Sequence, residues 1–396
     1  MDGEKRGTIM KKIGILAAME VELDYLKTVM TGLKENSYSG FTFYEGSFND
    51  VEVVLCVCGV GKVNAAACTQ LIIDKFNVTH IINTGIAGSL NSSVKPLDIV
   101  VSDYVTYHDV RVRQMRELFP YVTEFKADEM LIHAVERAFV VNGYSDINIH
   151  RGKIVTGEAF VDNAKLKQRI VEGYNPLCVE MEGGAIAHVS YINKVPFVIV
   201  RSISDNADDE ARGMYDDFEA ISSKHSAELV EMVMKELSDP EYIDIDENLR
   251  LKRYTGTCNF ALEWYQDEDM VKLVDGPDAV KYTMNKFQRM YNVLDRRGEL
   301  YFIEAKENNN FIPIGDVTLC SDDMPIVIGN TDYRSKGIGM KVINALLERG
   351  QDIGYKIFGV KEIYDYNLPS QKCFEKAGFS KHKQTEKGYS YVLQMK

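Results

Sequence analysis

Two carboxylates, Glu180 and Glu182, flank one methionine in the stretch CVEMEGGAIAHV, whose other residues are mostly apolar or small. Burying a carboxylate there is costly unless something partners it. In an extended segment alternate side chains point the same way, so both acids can reach one polar site. Further acids lie at the ends of apolar runs. Glu20 and Glu22 lie in AAMEVEL, and Ser204 and Asp205 close FVIVRSISD. Arg201, inside that run, is a candidate partner for one acid. Carboxyl groups gathered in this way suit general acid–base work and the stabilisation of a developing cation. A second constellation lies near the carboxyl end. Arg334, Gly337 and Gly339 fit R-x-x-G-x-G after an apolar run and before a helical one, with Ser335, Lys336 and Ile338 in the same loop. Such a loop exposes consecutive backbone N–H groups at a helix start, a cradle for pyrophosphate.

The elements that must position these residues come in two textures. Runs such as KKIGILAAM, VEVVLCVCGVG, THIINTGIAG, DIVVSDYVTYH and VPFVIVRSISD are continuous and apolar, which predicts strands buried on both faces. Each ends in a Gly-rich or acidic loop, as in a layered α/β domain with its loops at one sheet edge. A last helix is expected from about Asp216, with Phe218, Ile221, His225, Leu229 and Met232 towards the core. Pro240 breaks it. The remainder reads differently: a hairpin with a polar Asn turn, then strand–loop–helix twice. The expected division is a polar tail over 1–10, a first domain over 11–238, a linker over 239–247 and a second domain over 248–396.

With 396 residues the chain is long enough for two or three domains. The net charge of −13 argues against a general nucleic-acid binder. No run is long and apolar enough to span a membrane, and no signal peptide is evident. The seven cysteines are scattered, without CxxC or zinc spacing, so reduced thiols, no metal and a cytoplasmic protein are expected.

The order of five loops, AAMEVEL, NTGIAGSL, FVDN, VEMEGG and RSISDNAD, resembles the 5′-methylthioadenosine/S-adenosylhomocysteine nucleosidase family, within the wider purine nucleoside phosphorylase-like superfamily. The resemblance spans about residues 11–237. It implies a three-layer α/β/α domain with a central twisted mixed sheet, no cofactor, and a homodimer. It implies that Asp205 protonates N7 of adenine, that Glu182 accepts the ribose hydroxyls and that Glu22 activates water. Breaking the N-glycosidic bond leaves a poor anion and a sugar cation, so an acid at the base and negative charge at the sugar are what the chemistry needs. Phe160 is expected to stack on the purine and the Val161 backbone to read its edge. Met19, Val60, Met181 and Tyr215 are expected to wall the sugar and its 5′ arm. Ala87, Gly88, Glu180, Arg201 and Ser204 complete the expected site. The family often has Ser where this chain has Ile86, and residues 111–119 fit its pattern poorly. Phosphorylases of the superfamily bind phosphate with arginines on the first and third loops, and here those loops have none. Hydrolysis is therefore expected rather than phosphorolysis. A nucleoside sensor without turnover is the alternative, against which the three acids speak.

The second constellation, with NLPSQKCFEKAGF downstream, resembles the GNAT family of acetyl-CoA-dependent N-acetyltransferases over about residues 248–394. That implies a separate α+β domain using acetyl-CoA as co-substrate and an amine acceptor. The cofactor would meet the loop from Arg334 to Gly339, with Asn367 and Ser370. Many members carry a proton-donating tyrosine where this chain has Phe374. A module that binds acetyl-CoA without catalysis is thus the alternative. Trp264, Tyr265 and the acidic run QDEDM are either an acceptor pocket or a solvated charge run over an aromatic core.

Overall fold

The computed structural model describes residues 11–48, 51–144, 146–208 and 211–395, the side chains of 212–217 excepted. The expected tail over 1–10 and the Tyr215 side chain lie outside the described residues. The chain divides into two compact units, Met1–Asp239 and Pro240–Lys396.

In the first unit the strands are β1 (Lys12–Ala17), β2 (Thr31–Tyr38), β3 (Phe41–Phe48), β4 (Val51–Val57), β5 (His80–Asn83), β6 (Ile86–Ser89), β7 (Ile99–Tyr107), β8 (Phe125–Lys126), β9 (Ile149–Thr156), β10 (Cys178–Glu180) and β11 (Phe197–Asp205). The helices are α1 (Asp24–Val29), α2 (Lys62–Phe76), α3 (Val112–Glu117), α4 (Glu129–Asn142), α5 (Ala164–Tyr174), α6 (Gly183–Asn193) and α7 (Ala211–Ser238). The strands form one mixed sheet, ordered β2-β3-β4-β1-β5-β11-β6-β10-β9-β7-β8. β11 also pairs antiparallel with β7, Arg201 opposite Val100. The strands β11, β6, β10, β9 and β7 therefore close into a ring. Every residue of β11 is buried, which is why its sequence is apolar on both faces until the polar residues of the site begin.

Helix α7 departs from the expected pattern. It begins before Asp216, and Ile221 is exposed while Phe218, His225 and Met232 are only half-buried. Leu229 is buried as expected, but the rest of the buried face carries Ser222, Ser223, Ser226 and Ala227, with Val230 and Val233. Ser226 Oγ lies 2.6 Å from Thr84 Oγ1, and Ser222 Oγ donates to the Ile203 carbonyl at 3.0 Å. Small hydroxyl side chains let the helix approach the sheet and hydrogen-bond to it, so a search for apolar spacing selects the wrong stripe.

In the second unit the strands are β12 (Tyr242–Asp246), β13 (Leu249–Arg253), β14 (Glu299–Glu307), β15 (Asn310–Leu319), β16 (Ile326–Ile328), β17 (Ile357–Tyr364), β18 (Ser380–Gln384) and β19 (Gly388–Gln394). The helices are α8 (Glu268–Asp275), α9 (Met284–Arg297), α10 (Ile338–Asp352) and α11 (Leu368–Lys376). β12 to β16 form one sheet in chain order, and β17-β19-β18 another. The Asn turn between β14 and β15 has positive φ at Asn308 (49°) and Asn309 (65°), which asparagine tolerates and a two-residue hairpin requires. The expected linker over 239–247 is corrected. Residues Tyr242–Asp246 pair with β13 as an edge strand of the second unit, leaving only its first few residues as connection. The short alternating stretch YIDID, with two aspartates, fits a sheet edge.

Candidate active site

The first unit holds a cavity of about 400 Å³, a size suited to a small ligand. Glu22, Glu182 and Asp205 all line it. Glu22 sits in the short turn after β1. Its Oε2 accepts the N–H groups of Ala18 (2.8 Å) and Met19 (2.9 Å), and its Oε1 accepts that of Ile86 (3.2 Å). Burial raises its pKa, against the pull of Arg201 and these amides. Gly85 is required by this packing. A Cβ there would stand 2.7 Å from Glu22 Oε1 and 2.8 Å from Arg201 Nη1. Glu20 points elsewhere, exposed and paired with Lys27.

Asp205 is the last residue of β11. Its Oδ2 accepts Ser204 Oγ and its Oδ1 the Ala207 N–H, each at 2.8 Å. It is 1% exposed, and burial raises its pKa, which favours the protonated form. It does not cap α7, which starts at Ala211. A narrow recess beside the cavity is lined by Gly88, Ala159, Phe160, Val161, Val179 and Met181 together with the carboxyl groups of Glu180 and Asp205, so a mostly apolar slot also holds acids. Phe160 is partly exposed and Val161 buried. Met19, Val60, Ala87 and Ser204 also line the main cavity.

The two glutamates of the VEMEGG stretch have different surroundings. Glu180 ends β10 and is surrounded by donors. Thr156 Oγ1 donates to its Oε1, while its Oε2 accepts the N–H groups of Glu182 (3.0 Å) and Gly183 (2.5 Å) and Arg201 Nη2 (2.6 Å). Glu182 has left the strand, with φ −126° and ψ −40°, so the expected alternation does not hold. Its Oε1 accepts the Gly61 N–H at 2.8 Å, and its Oε2 lies 3.8 Å from Arg201 Nη2. Burial raises its pKa first, and Glu180 adds to the rise. Glu180 thus corrects the expectation of a ligand-facing acid. It touches the cavity, but its oxygens already hold the guanidinium and the backbone. Arg201, 1% exposed, also donates to Asn83 Oδ1 at 2.5 Å. Asn83, Thr156 and the Gly61 amide were not read from the sequence. Nothing in the NTG and VTG triplets separates them from ordinary loop residues.

No lysine or arginine is among the described residues lining this cavity. Residues 12–235 match the phosphorylase superfamily. The chain belongs to that superfamily. A 5′-methylthioadenosine/S-adenosylhomocysteine nucleosidase of Exiguobacterium is 38% identical over 231 residues, 57% of this chain and 98% of the relative. The enzyme of the same name from Halalkalibacterium halodurans is 42% identical over 227 residues, 56% and 96% of the two chains. The crystal structure of the Neisseria meningitidis nucleosidase with methylthio-immucillin-A is similar at a TM-score of 0.54 and 33% identity, covering 57% of this chain and 99% of that one. A futalosine hydrolase of Helicobacter pylori is similar at a TM-score of 0.54 and 28% identity, covering 58% and 100%.

This phosphorylase-superfamily member carries a second cavity, in its second unit, of about 880 Å³. Residues 259–379 match the acetyltransferase (GNAT) family, and the second unit is a GNAT domain. β16 and β17 belong to different sheets, and both line the cavity. The loop before α10 is left-handed at Ser335 (φ 60°) and Gly337 (φ 78°), and no side chain caps the helix. Its first amides are open to an anion. Ser335, Gly337, Ile338, Gly339, Asn367, Ser370 and Phe374 line the cavity. Lys336 is not among its described lining residues and lies over the Tyr333 ring, 5.2 Å from its centroid.

Arg334 lines the cavity too. Its guanidinium donates to the carbonyls of Ile328 (2.9 Å) and Gly329 (3.0 Å) and to Asp267 (3.1 Å), so it braces the loop. The Asn367 side chain caps α11 through the Ser370 N–H and donates to the Leu273 carbonyl. Phe374 is buried, edge-on to Phe379. Trp264 and Tyr265 are core residues, 5% and 1% exposed, within an aromatic cluster, so the aromatic-core reading holds for them.

Proposed function

We propose that the first unit hydrolyses the N-glycosidic bond of 5′-methylthioadenosine and S-adenosylhomocysteine, releasing adenine, with 5′-deoxyadenosine as a further candidate. One observation carries the reading. Four buried carboxyl groups, those of Glu22, Glu180, Glu182 and Asp205, line a cavity whose described lining holds no cation, and the Arg201 guanidinium behind it is already held by Glu180 and Asn83. A phosphate dianion placed there would be repelled. At about 4 Å two like charges cost roughly 1 kcal/mol in water and about 4 at an intermediate dielectric.

In this reading a purine lies in the slot between Phe160, Val161 and Gly88. Asp205, whose pKa burial raises, delivers its proton to N7 as the bond to the sugar lengthens. Glu182 accepts the ribose 2′ and 3′ hydroxyls, and with Glu22 surrounds the developing sugar cation with negative charge. Glu22, held by three amides, accepts a proton from the attacking water as its oxygen bonds to the sugar carbon that the purine leaves. Met19, Val60 and Met181 wall the sugar and its 5′ arm, and Tyr215 is assigned to the same wall. No cofactor enters these steps. The test is product analysis in phosphate-free buffer. Adenine and the free thio-ribose should appear at a rate that added phosphate leaves unchanged. A phosphate requirement, with ribose-1-phosphate esters as products, overturns hydrolysis.

For the second unit the proposal is transfer of acetyl from acetyl-CoA to an amine. The family match and the open amides of α10, beside a cavity lined by strands of two sheets, support it. Phe374 cannot donate a proton, which favours a module that binds acetyl-CoA without transfer as the second reading. Calorimetric binding of acetyl-CoA, followed by transfer to polyamine, aminoglycoside and peptide panels, separates the two. We place the protein in the cytoplasm, as a homodimer through its first unit and without nucleic-acid or membrane partners, on the family resemblance of that unit, the net charge of −13 and the scattered cysteines.

A further inference from the structure

Beside the first unit's cavity, three loops from three strands meet in one ionic knot that no step above uses. Lys62 opens α2, directly after Val60 and Gly61. Its Nζ lies 2.8 and 2.7 Å from the two oxygens of Asp109, which follows β7. Asp109 Oδ2 also accepts the Glu158 N–H, after β9, at 2.9 Å. Glu158 reaches back. Its Oε2 accepts the Lys62 N–H at 3.3 Å and lies 3.9 Å from Lys62 Nζ. The lysine also sits over the Tyr107 ring, 5.5 Å from its centroid. A Cβ on Gly61, whose φ is 98°, would stand 2.6 Å from Glu158 Oε1, so the glutamate lies directly on that loop.

The knot joins the two halves of the site. On one side Gly61 donates to Glu182 at 2.8 Å, and Val60 lines the cavity. On the other, Glu158 is two residues from Phe160 and three from Val161. We infer that Lys62, with Asp109 and Glu158, is a positioning residue for the nucleosidase reaction. It holds the sugar-side loop and the base-side loop at the spacing one nucleoside requires. An isolated surface ion pair contributes little, but a lysine chelated by one carboxylate and near a second, with two backbone N–H groups donating to those carboxylates, fixes geometry. This inference rests on the nucleosidase reading above.

The test compares Lys62→Met, Asp109→Asn, the double variant and Lys62→Arg. Substrates are 5′-methylthioadenosine and S-adenosylhomocysteine. Each disrupting variant should raise KM roughly tenfold, the scale of a small misplacement of binding groups, with kcat within about threefold. The factor should be the same for both substrates. The double variant should be no worse than either single one, because the two side chains act through one contact. Lys62→Arg, which can still chelate Asp109, should recover most of the affinity. Unchanged KM, multiplying losses, or a loss confined to the substrate with the amino-acid tail overturns the positioning role. Should Lys62→Met fail to fold, Asp109→Asn and Lys62→Arg carry the same comparison. A wild-type chain that turns over neither substrate overturns the nucleosidase reading itself, and this inference with it.

Discussion

Replacing Glu180 and Glu182 in turn by glutamine should give opposite results, although the two are separated by one residue. Glu180 is the counter-ion of a buried arginine and accepts four hydrogen bonds. In Glu180→Gln one oxygen becomes an NH₂ group. Facing Thr156, that group meets a hydroxyl that already accepts the Gly184 N–H at 2.6 Å and whose own proton then lacks its acceptor. Facing the other way, it points a donor at Arg201 and two amides. Either way the guanidinium loses its nearest negative charge. Breaking one side of a buried pair costs about 3–5 kcal/mol. For a unit of this size that corresponds to about 6–20 °C in melting temperature. Glu182→Gln differs. Its carboxyl has a raised pKa, chiefly from burial, so the ionised form destabilises the fold. The sign follows from linkage. A carboxyl whose folded pKa lies above its unfolded value takes up a proton on folding, and its contribution falls as pH rises through the folded value. The amide oxygen introduced by Glu182→Gln can still accept the Gly61 N–H, so the melting temperature at about pH 7.5 should hold or rise. Activity should fall at least about a hundredfold, since a neutral amide offers no charge to a sugar cation.

The measurement is calorimetric unfolding beside adenine release, with the first unit's transition followed separately. A Glu180→Gln chain as stable as wild type, with only a raised KM, would refute the assignment of Glu180 to Arg201. A Glu182→Gln chain that melts early and turns over normally would refute the converse.

Asp205→Asn should lower kcat by about a hundred- to ten-thousandfold, the usual contribution of a proton donor, with little change in folding because Ala207 keeps its acceptor. In wild type kcat should fall as pH rises through the raised Asp205 pKa, and that limb should vanish in the variant; a limb that persists assigns it to another group. Gly85→Ala should cut kcat about tenfold or more by pushing Glu22 off its three amides, and an unchanged rate shows that the turn can yield. In the second unit, Asp316 accepts the phenols of Tyr265 and Tyr291, yet burial lifts its pKa to about 6. That group's contribution should decline between about pH 4 and pH 6, by up to about 3 kcal/mol, and Asp316→Asn should flatten the decline. Urea unfolding followed by fluorescence reads this unit alone, because the single tryptophan of the chain, Trp264, is buried within it.

How far a site can be read from sequence depends on whether its residues act through type or through placement. Glu22, Glu182 and Asp205 were named through the order of five loops that resembles a family, and the structure brings them to one cavity; type alone would not have sufficed, since Glu20, on the same loop as Glu22, pairs with Lys27 at the surface. The run FVIVRSISD gave both the buried strand and the residues at its end, since a strand enclosed by the sheet ring has no solvent face to soften its composition. The roles of Glu180 and Glu182 were not separable in the same way. Alternation puts them on one face only while the chain stays extended, and the backbone turns out of the strand after Glu180 to begin α6. Arg334 and Asn367 show a related limit. Both line the second cavity, yet their side chains also brace and cap the loops there, a task that their residue types alone do not announce. The serines of α7 hide a packing face because their polarity suggests solvent, while their size suits close contact with the sheet. Lys62, Asp109 and Glu158 are the clearest case. Scattered over nearly a hundred positions, each looks like ordinary surface charge, and only the folding of β4, β7 and β9 into one sheet brings them within hydrogen-bond reach. Chemistry carried by a residue's own pKa can therefore be proposed from the chain. Chemistry carried by convergence of loops has to wait for the fold, and that is where an unassigned positioning group would be expected.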